Sequence, residues 1–178
     1  MAINLRRSLR LVAAPTLLSE IEGYSELGMK MEAMALCRRA LQLRRLDGEL
    51  FCTVVGSVQR LAVQKRRWMP AIEAAFARLN ARDQRRARFS LLFLEAELKR
   101  SAQVLRLAPR TYRGGLAWLE LVLVAEAAIA TREWQVLKAI SGKLERATEE
   151  TIDEELRAWM EKISARAIRA EKRVAPRS

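Results

Sequence analysis

Apolar residues recur through most of the chain at intervals of three and four, a spacing that places them on one face of an α-helix. The clearest case follows Asp47 and Gly48, where the pattern is formed by Phe51, Val54, Val55, Val58, Leu61 and Ala62. Leu, Ala, Arg and Glu dominate the composition, whereas the strand-forming residues Thr, Tyr and Ile are sparse. We find no strand candidate, and the sequence predicts an all-α fold.

Proline, glycine and loop-forming residues divide this pattern into helices. Pro15 suits a first helical position, Gly28 a tight turn, and the segment 111–115 a loop. Thr151, with Glu154 three residues later, is typical of a capping box at a helix start. The predicted helices run from Pro15 to Gly28, Met29 to Leu43, Phe51 to Ala62, Pro70 to Asn80, Phe89 to Leu107 and Leu116 to Ala130, and two more carry Trp134 and Thr151.

The 178 residues correspond to one ordinary domain, which at this size buries roughly 70% of the surface that its unfolded chain exposes. We predict a single helical-repeat domain over 1–172 and a flexible tail over 173–178. Within the domain, 1–14 forms an amphipathic helix, 15–147 the repeat helices and 148–172 a capping helix. Arg6, Arg7 and Arg10 leave a targeting segment as an alternative for the first residues.

One segment carries a resemblance to a known family: Tyr24, Gly28, Ala33, Cys37, Ala40 and Leu41. It resembles a tetratricopeptide repeat (TPR), in which an aromatic residue, a turn glycine and small residues on the second helix recur at this spacing. The resemblance implies antiparallel helix pairs stacked as a short α-solenoid, a right-handed superhelix closed by a C-terminal capping helix. An unrelated helical bundle is the alternative.

Later segments are similar to the same repeat in fewer positions. The second unit is recognised by Trp68, Ala71, Ile72 and Phe76, and the third by Trp134, Leu137 and Ile140. Trp134 lies 66 positions after Trp68 (134 − 68), close to two periods of about 34 residues. Between them, the segment from Val104 to Pro109 resembles the end of a repeat but lacks the small residues upstream.

The TPR resemblance implies a function in binding rather than in catalysis. Such domains hold peptides or proteins in a concave groove lined by the first helices of successive repeats, here including Tyr24 and the helix from Phe51. We therefore predict a non-enzymatic scaffold or adaptor with a peptide or protein partner, an acidic one among the candidates. No catalytic residue and no cofactor are predicted.

The residues that usually carry metal sites are scarce. Histidine is absent, which removes the commonest general base and metal ligand, and the only cysteines are Cys37 and Cys52. A structural zinc site needs four nitrogen or sulfur ligands, so this chain cannot supply one alone. Two apolar free cysteines are typical of a reducing compartment, and we expect a cytoplasmic protein. The most apolar run, 116–130, contains Glu120 and Glu126 and is too short to span a membrane.

Basic residues are concentrated in one stretch. The net charge is +12, and residues 60–113 hold 14 basic and 4 acidic residues. Arginines at this density favour carboxylate or phosphate partners. We predict a partner-binding basic edge formed by Arg78, Arg82, Arg85, Arg86 and Arg88. Ordinary solvated surface is the first alternative, and nucleic acid bound along 60–113 is the less favoured one.

A second candidate for anion binding is the loop before the helix from Leu116, formed by Arg110, Arg113, Gly114 and Gly115. Free backbone N–H groups at a helix start favour an anion. The loop lacks the strand and the lysine of a nucleotide phosphate-binding loop, so an ordinary connection between repeats is the alternative.

Overall fold

A computed structural model describes residues 17–113, 117–149 and 154–174. All regular structure in these ranges is helical, and they contain no strand, so the predicted all-α class is confirmed for this part of the chain. The predicted helix over 1–14, Pro15, Thr151 and the end of the predicted tail, 175–178, lie outside the described residues.

The helices follow one another with short connections. The first, α1, comprises residues 17–26. Those that follow are α2 (Lys30–Leu41), α3 (Gly48–Leu61), a 3-10 helix (Lys65–Trp68), α4 (Met69–Arg78), α5 (Ala81–Glu97), α6 (Ser101–Leu107), α7 (Ala117–Thr131), α8 (Trp134–Glu149) and α9 (Glu154–Val174).

The chain divides into two compact units, the first ending at Leu94 and the second beginning at Glu95. The helix α5 contributes residues to both. The single domain over 1–172 and the right-handed superhelix stay predictions.

The first unit is built around α3. Both α2 and α4 pack against it, and Phe51 on α3 meets Phe76 on α4 with ring centroids 5.7 Å apart. Phe51 is completely buried, so it belongs to the core and not to a groove wall. The side of α3 left to solvent carries Glu49 and Arg60.

Small side chains let α1, α2 and α3 approach one another. Ala33, Cys37 and Ala40 lie on one face of α2 and are fully buried. Cys37 forms a hydrogen bond with Ser57 on α3. The Ser57 hydroxyl in turn lies 3.0 Å from that of Ser25 on α1. Larger side chains on this face of α2 would force the helices apart.

The second unit is built around α7, which packs against α6, α8 and α9. Contacts with three helices bury most of its circumference, and the buried residues include Glu120. The apolar run therefore forms a buried helix over Ala117–Thr131. Among the described helices, none combines the length and the apolar character needed to cross a bilayer.

Three helices end in the same turn, in which a residue with positive φ follows the last helical residues. These residues are Gly28 (φ 69°), Lys99 (φ 56°) and Arg132 (φ 61°). At the first, the N–H of Met29 donates to the Tyr24 carbonyl at 2.9 Å. The equivalent bonds, Arg100 to Glu95 and Glu133 to Ala128, are also 2.9 Å long. This Schellman pattern ends each helix and lets the next begin within three residues.

The turn at Lys99 corrects one predicted helix. The pattern predicts a helix from Phe89 to Leu107, whereas α5 begins at Ala81 and α6 is separate. The early start follows from Asn80, whose side-chain oxygen accepts hydrogen bonds from the N–H groups of Arg82 and Asp83. The break was missed because a lysine rarely adopts the left-handed conformation.

We expect Ala40→Leu to lower the free energy of unfolding by about 1 to 3 kcal/mol, because the added carbons must displace packed neighbours. Ala35→Leu on the exposed side of the same helix is the matched control and should cost under about 0.5 kcal/mol. Urea denaturation followed by circular dichroism measures both. Equal stability of the two variants would contradict the close helix approach.

We expect Arg132→Gly to stabilise the protein by about 0.5 kcal/mol. Relief of the left-handed strain contributes about 1 to 2 kcal/mol, and the greater freedom of unfolded glycine costs about 0.5 to 1 kcal/mol. Gly28→Ala should destabilise for the opposite reason. Thermal melts of both variants, with Arg132→Ala as the control that removes the side chain but keeps the strain, check these signs.

Candidate partner-binding site

Three of the predicted arginines come together on α5. Arg82, Arg85 and Arg86 are exposed, and at 100° per residue they lie on one side of the first two turns. None of the three forms an ion pair with any residue in the described ranges. Asp83, the acid of this first turn, accepts a hydrogen bond from the Asn80 side chain at 2.6 Å. The three guanidinium groups therefore face solvent together.

Arg78 has a different position from these three. Its Nη2 donates a hydrogen bond of 2.6 Å to the carbonyl oxygen of Leu41, the last residue of α2. A cation at this end of a helix also complements the negative end of the helix dipole. Arg78 thus joins the end of α4 to the end of α2.

Arg88 lies on another side of α5, six residues after Arg82, and is half-buried. The basic edge predicted from the sequence is therefore divided by the fold. Arg82, Arg85 and Arg86 form one exposed cluster, whereas Arg78 and Arg88 lie apart from it.

Two aromatic residues continue the exposed side of α5. The rings of Phe89 and Phe93 have centroids 6.2 Å apart, and Phe93 is 39% exposed. The sequence pattern predicts a helix beginning at Phe89, whereas α5 begins at Ala81. On α5, Leu91 and Leu94 lie on the buried side, and the two phenylalanines share the side of Arg82. Which of these residues share a side follows from their spacing in the sequence, but which side is covered depends on the helices that pack against α5.

Further arginines lie close by, outside the stretch 60–113. A Cβ at Gly48 would lie 3.1 Å from the Asp83 carbonyl oxygen, so the start of α3 adjoins the first turn of α5. Arg44 and Arg45, in the connection just before α3, are exposed and have no ion pair in the described part of the chain. Sequence reasoning missed them because it counted charge along the chain.

Arg38 on α2 makes a contact within the fold, since its guanidinium lies 5.1 Å from the ring centroid of Trp68. Trp68 is half-buried, and this cation–π contact covers part of its ring. Trp68 is therefore used within the fold.

The predicted anion loop is described only in part. Arg110 and Arg113 are exposed, whereas Gly114 and Gly115 lie outside the described residues. Between the two arginines, the Tyr112 ring lies 5.5 Å from the ammonium nitrogen of Lys143 on α8. This contact attaches the loop to the second unit.

The buried polar cluster of the first unit has little chemical reactivity. Burial raises the pKa of the Cys37 thiol to about 12, against a weaker opposing effect of its hydrogen bond with Ser57. The thiol is therefore protonated at neutral pH, and a protonated thiol is a poor nucleophile and metal ligand. In the described ranges, no three Cys, Asp or Glu side chains come together as a metal site would require.

A scan against models of protein families and searches of curated proteins and of solved structures found no match to this chain.

We expect Arg78→Ala to destabilise the protein by about 1 kcal/mol, because the buried end of α2 loses a charge-assisted hydrogen bond. Arg82→Ala, a matched change of an arginine without such a bond, should stay within about 0.5 kcal/mol of the unchanged chain. Differential scanning calorimetry separates the two. Equal melting temperatures would show that the bond to Leu41 contributes nothing.

Proposed function

We propose that this chain is a non-enzymatic, TPR-like interaction module that binds an acidic peptide or protein. The observation that carries the proposal is the cluster of Arg82, Arg85 and Arg86, which the fold leaves exposed and without an ion pair in the described ranges. Surface charges of this kind contribute little to folding stability. Their concentration on one side of one helix is better explained by a partner.

The energetics of the cluster favour an anionic partner. Three guanidinium groups within two turns repel one another, and a partner's carboxylates would relieve that repulsion. Guanidinium and carboxylate groups also form paired hydrogen bonds, which are stronger than bonds between neutral groups. The wider basic surface, including Arg44 and Arg45, would attract the same partner from a distance and speed association.

The repeated turn supports the TPR-like part of the proposal. Lys99 and Arg132 lie 33 positions apart (132 − 99) and end their helices with the same hydrogen-bond pattern. A TPR has a period of about 34 residues. Under this assignment α5 and α7, the helices that these two turns end, are first helices, the helix type that lines the groove in the family. Ala33 and Ala40, buried on α2, match the small positions of a second helix.

Nucleic acid is the second candidate partner, favoured by the net charge of +12. Binding dominated by phosphate contacts weakens steeply as salt rises. Gel-shift assays of the full chain with a duplex and a single strand, at two salt concentrations, therefore distinguish it from a protein partner.

We expect the double variant Arg82→Glu and Arg86→Glu to associate several-fold more slowly with the native partner at low salt, with an unchanged fold. The partner is first isolated by affinity capture from nuclease-treated native cell extract, and association is then measured by surface plasmon resonance. Lys138→Glu with Arg146→Glu is the matched control, since it makes the same charge change on α8.

The control variant should associate at the rate of the unchanged chain. If both double variants slowed association equally, only net charge would matter and the α5 cluster would not be the site. If nuclease treatment removed all captured partners, the nucleic-acid alternative would replace the proposal.

A further inference from the structure

We propose that the exposed side of α5 is a two-part docking ridge for an acidic peptide segment that also carries a large apolar side chain. The α5 ridge consists of Arg82, Arg85, Arg86, Phe89 and Phe93. Its arginines would hold the carboxylates, and its phenylalanines would cover the apolar side chain. This inference rests on the proposed function and adds the chemistry of the partner.

The register of α5 places these residues on one side. At 100° per residue, Arg82, Arg86, Phe89 and Phe93 fall within an arc of about 60°. The buried residues Ala87, Leu91, Leu94 and Glu95 lie on the opposite side, and the buried Leu92 lies at the edge, about 20° from Arg85. Because the buried side of α5 is packed, we expect the helix to hold the ridge residues in fixed positions.

The two phenylalanines are the part of the ridge that charge alone does not explain. They lie four residues apart, contact each other at 6.2 Å between centroids, and leave Phe93 39% exposed. Apolar rings in water gain from being covered by an apolar side chain. Arginine and phenylalanine are also enriched at the centres of protein interfaces, where lysine and acidic residues are depleted.

The arrangement favours a peptide over a nucleic acid. The cations lie at one end of the ridge and the rings at the other, whereas a single strand needs stacking surfaces interleaved with phosphate contacts. Phe89 and Phe93 also contact each other, so a base cannot insert between them. An acidic segment with one apolar residue has the same separation of charge and apolar surface as the ridge.

The dimensions set the spacing of the partner's residues. From Arg82 to Phe93 the helix rises about 16 Å, at 1.5 Å per residue. The centre of the arginines and the centre of the rings are about 10 Å apart by the same measure. An extended peptide advances about 3.3 Å per residue, so the apolar residue should lie about three positions from the acids.

The test uses the full chain and pools of fluorescein-labelled decapeptides in fluorescence polarisation. The first pool has three adjacent Asp or Glu residues and one Leu or Phe three positions away, in either order. In the second pool Ser replaces the apolar residue, and in the third Asn or Gln replaces the acids. We expect the first pool to bind at least ten-fold more tightly than either of the others.

Variants assign the binding to the ridge. Phe93→Ala and Phe89→Ala should each weaken binding of the first pool about five-fold and leave the second pool unchanged. Val63→Ala is the matched control, because it truncates an 83% exposed apolar residue elsewhere in the first unit. Arg85→Gln, which keeps both rings, should weaken the first and second pools alike. Circular dichroism checks that each variant is folded.

Four results would overturn the inference. Equal binding of the first and second pools would show that the rings do not belong to the site. Equal binding of the first and third pools would show the same for the arginines. Binding of none of the pools would reject this ligand chemistry. In that case, the proposed function would still hold if affinity capture isolated a partner from nuclease-treated extract and the double variant of Arg82 and Arg86 lost that partner. Tighter binding of a single-stranded thymidine 20-mer, lost in the arginine and phenylalanine variants, would overturn both.

Discussion

The close approach of α1, α2 and α3 is the constraint on which the first unit depends. At this approach each helix contributes one small polar side chain: Ser25, Cys37 and Ser57. The Ser57 side chain forms hydrogen bonds with the other two. Buried hydroxyls that lack partners cost free energy, so this cluster is favourable only with all three helices in place. The small side chains Ala33 and Ala40, on either side of Cys37, are also completely buried on this face of α2.

The remaining helices of the unit are positioned from this packing. Phe76 on α4 packs against Phe51 on α3, and Arg78 binds the carbonyl of Leu41 at the end of α2. The turn after α4 then contains Asn80, which caps α5, and the start of α5 adjoins Gly48. These contacts connect α5 to the packing of α1, α2 and α3. The side of α5 that faces solvent therefore depends on that packing.

This dependence connects the core to the proposed site. The arginines and phenylalanines of the α5 ridge make no described contact with the core cluster, yet their exposure is set by which side of α5 the core covers. A ridge on a packed helix needs little reordering when a partner binds, and this lowers the entropic cost of association. The same surface is accessible to nucleic acid, and the separation of its charges from its rings is the feature that distinguishes the two partners.

The sequence by itself determined the helical class, the turn at Gly28 and the burial of Ala33 and Ala40. These depend on local properties: the spacing of apolar residues, the conformational freedom of glycine and the small volume of alanine. Only the tertiary structure decided that Lys99 breaks a helix, that Arg78 binds Leu41 and that Phe93 faces solvent. Periodicity shows which residues share a side of a helix, whereas the neighbouring helices determine which side is covered.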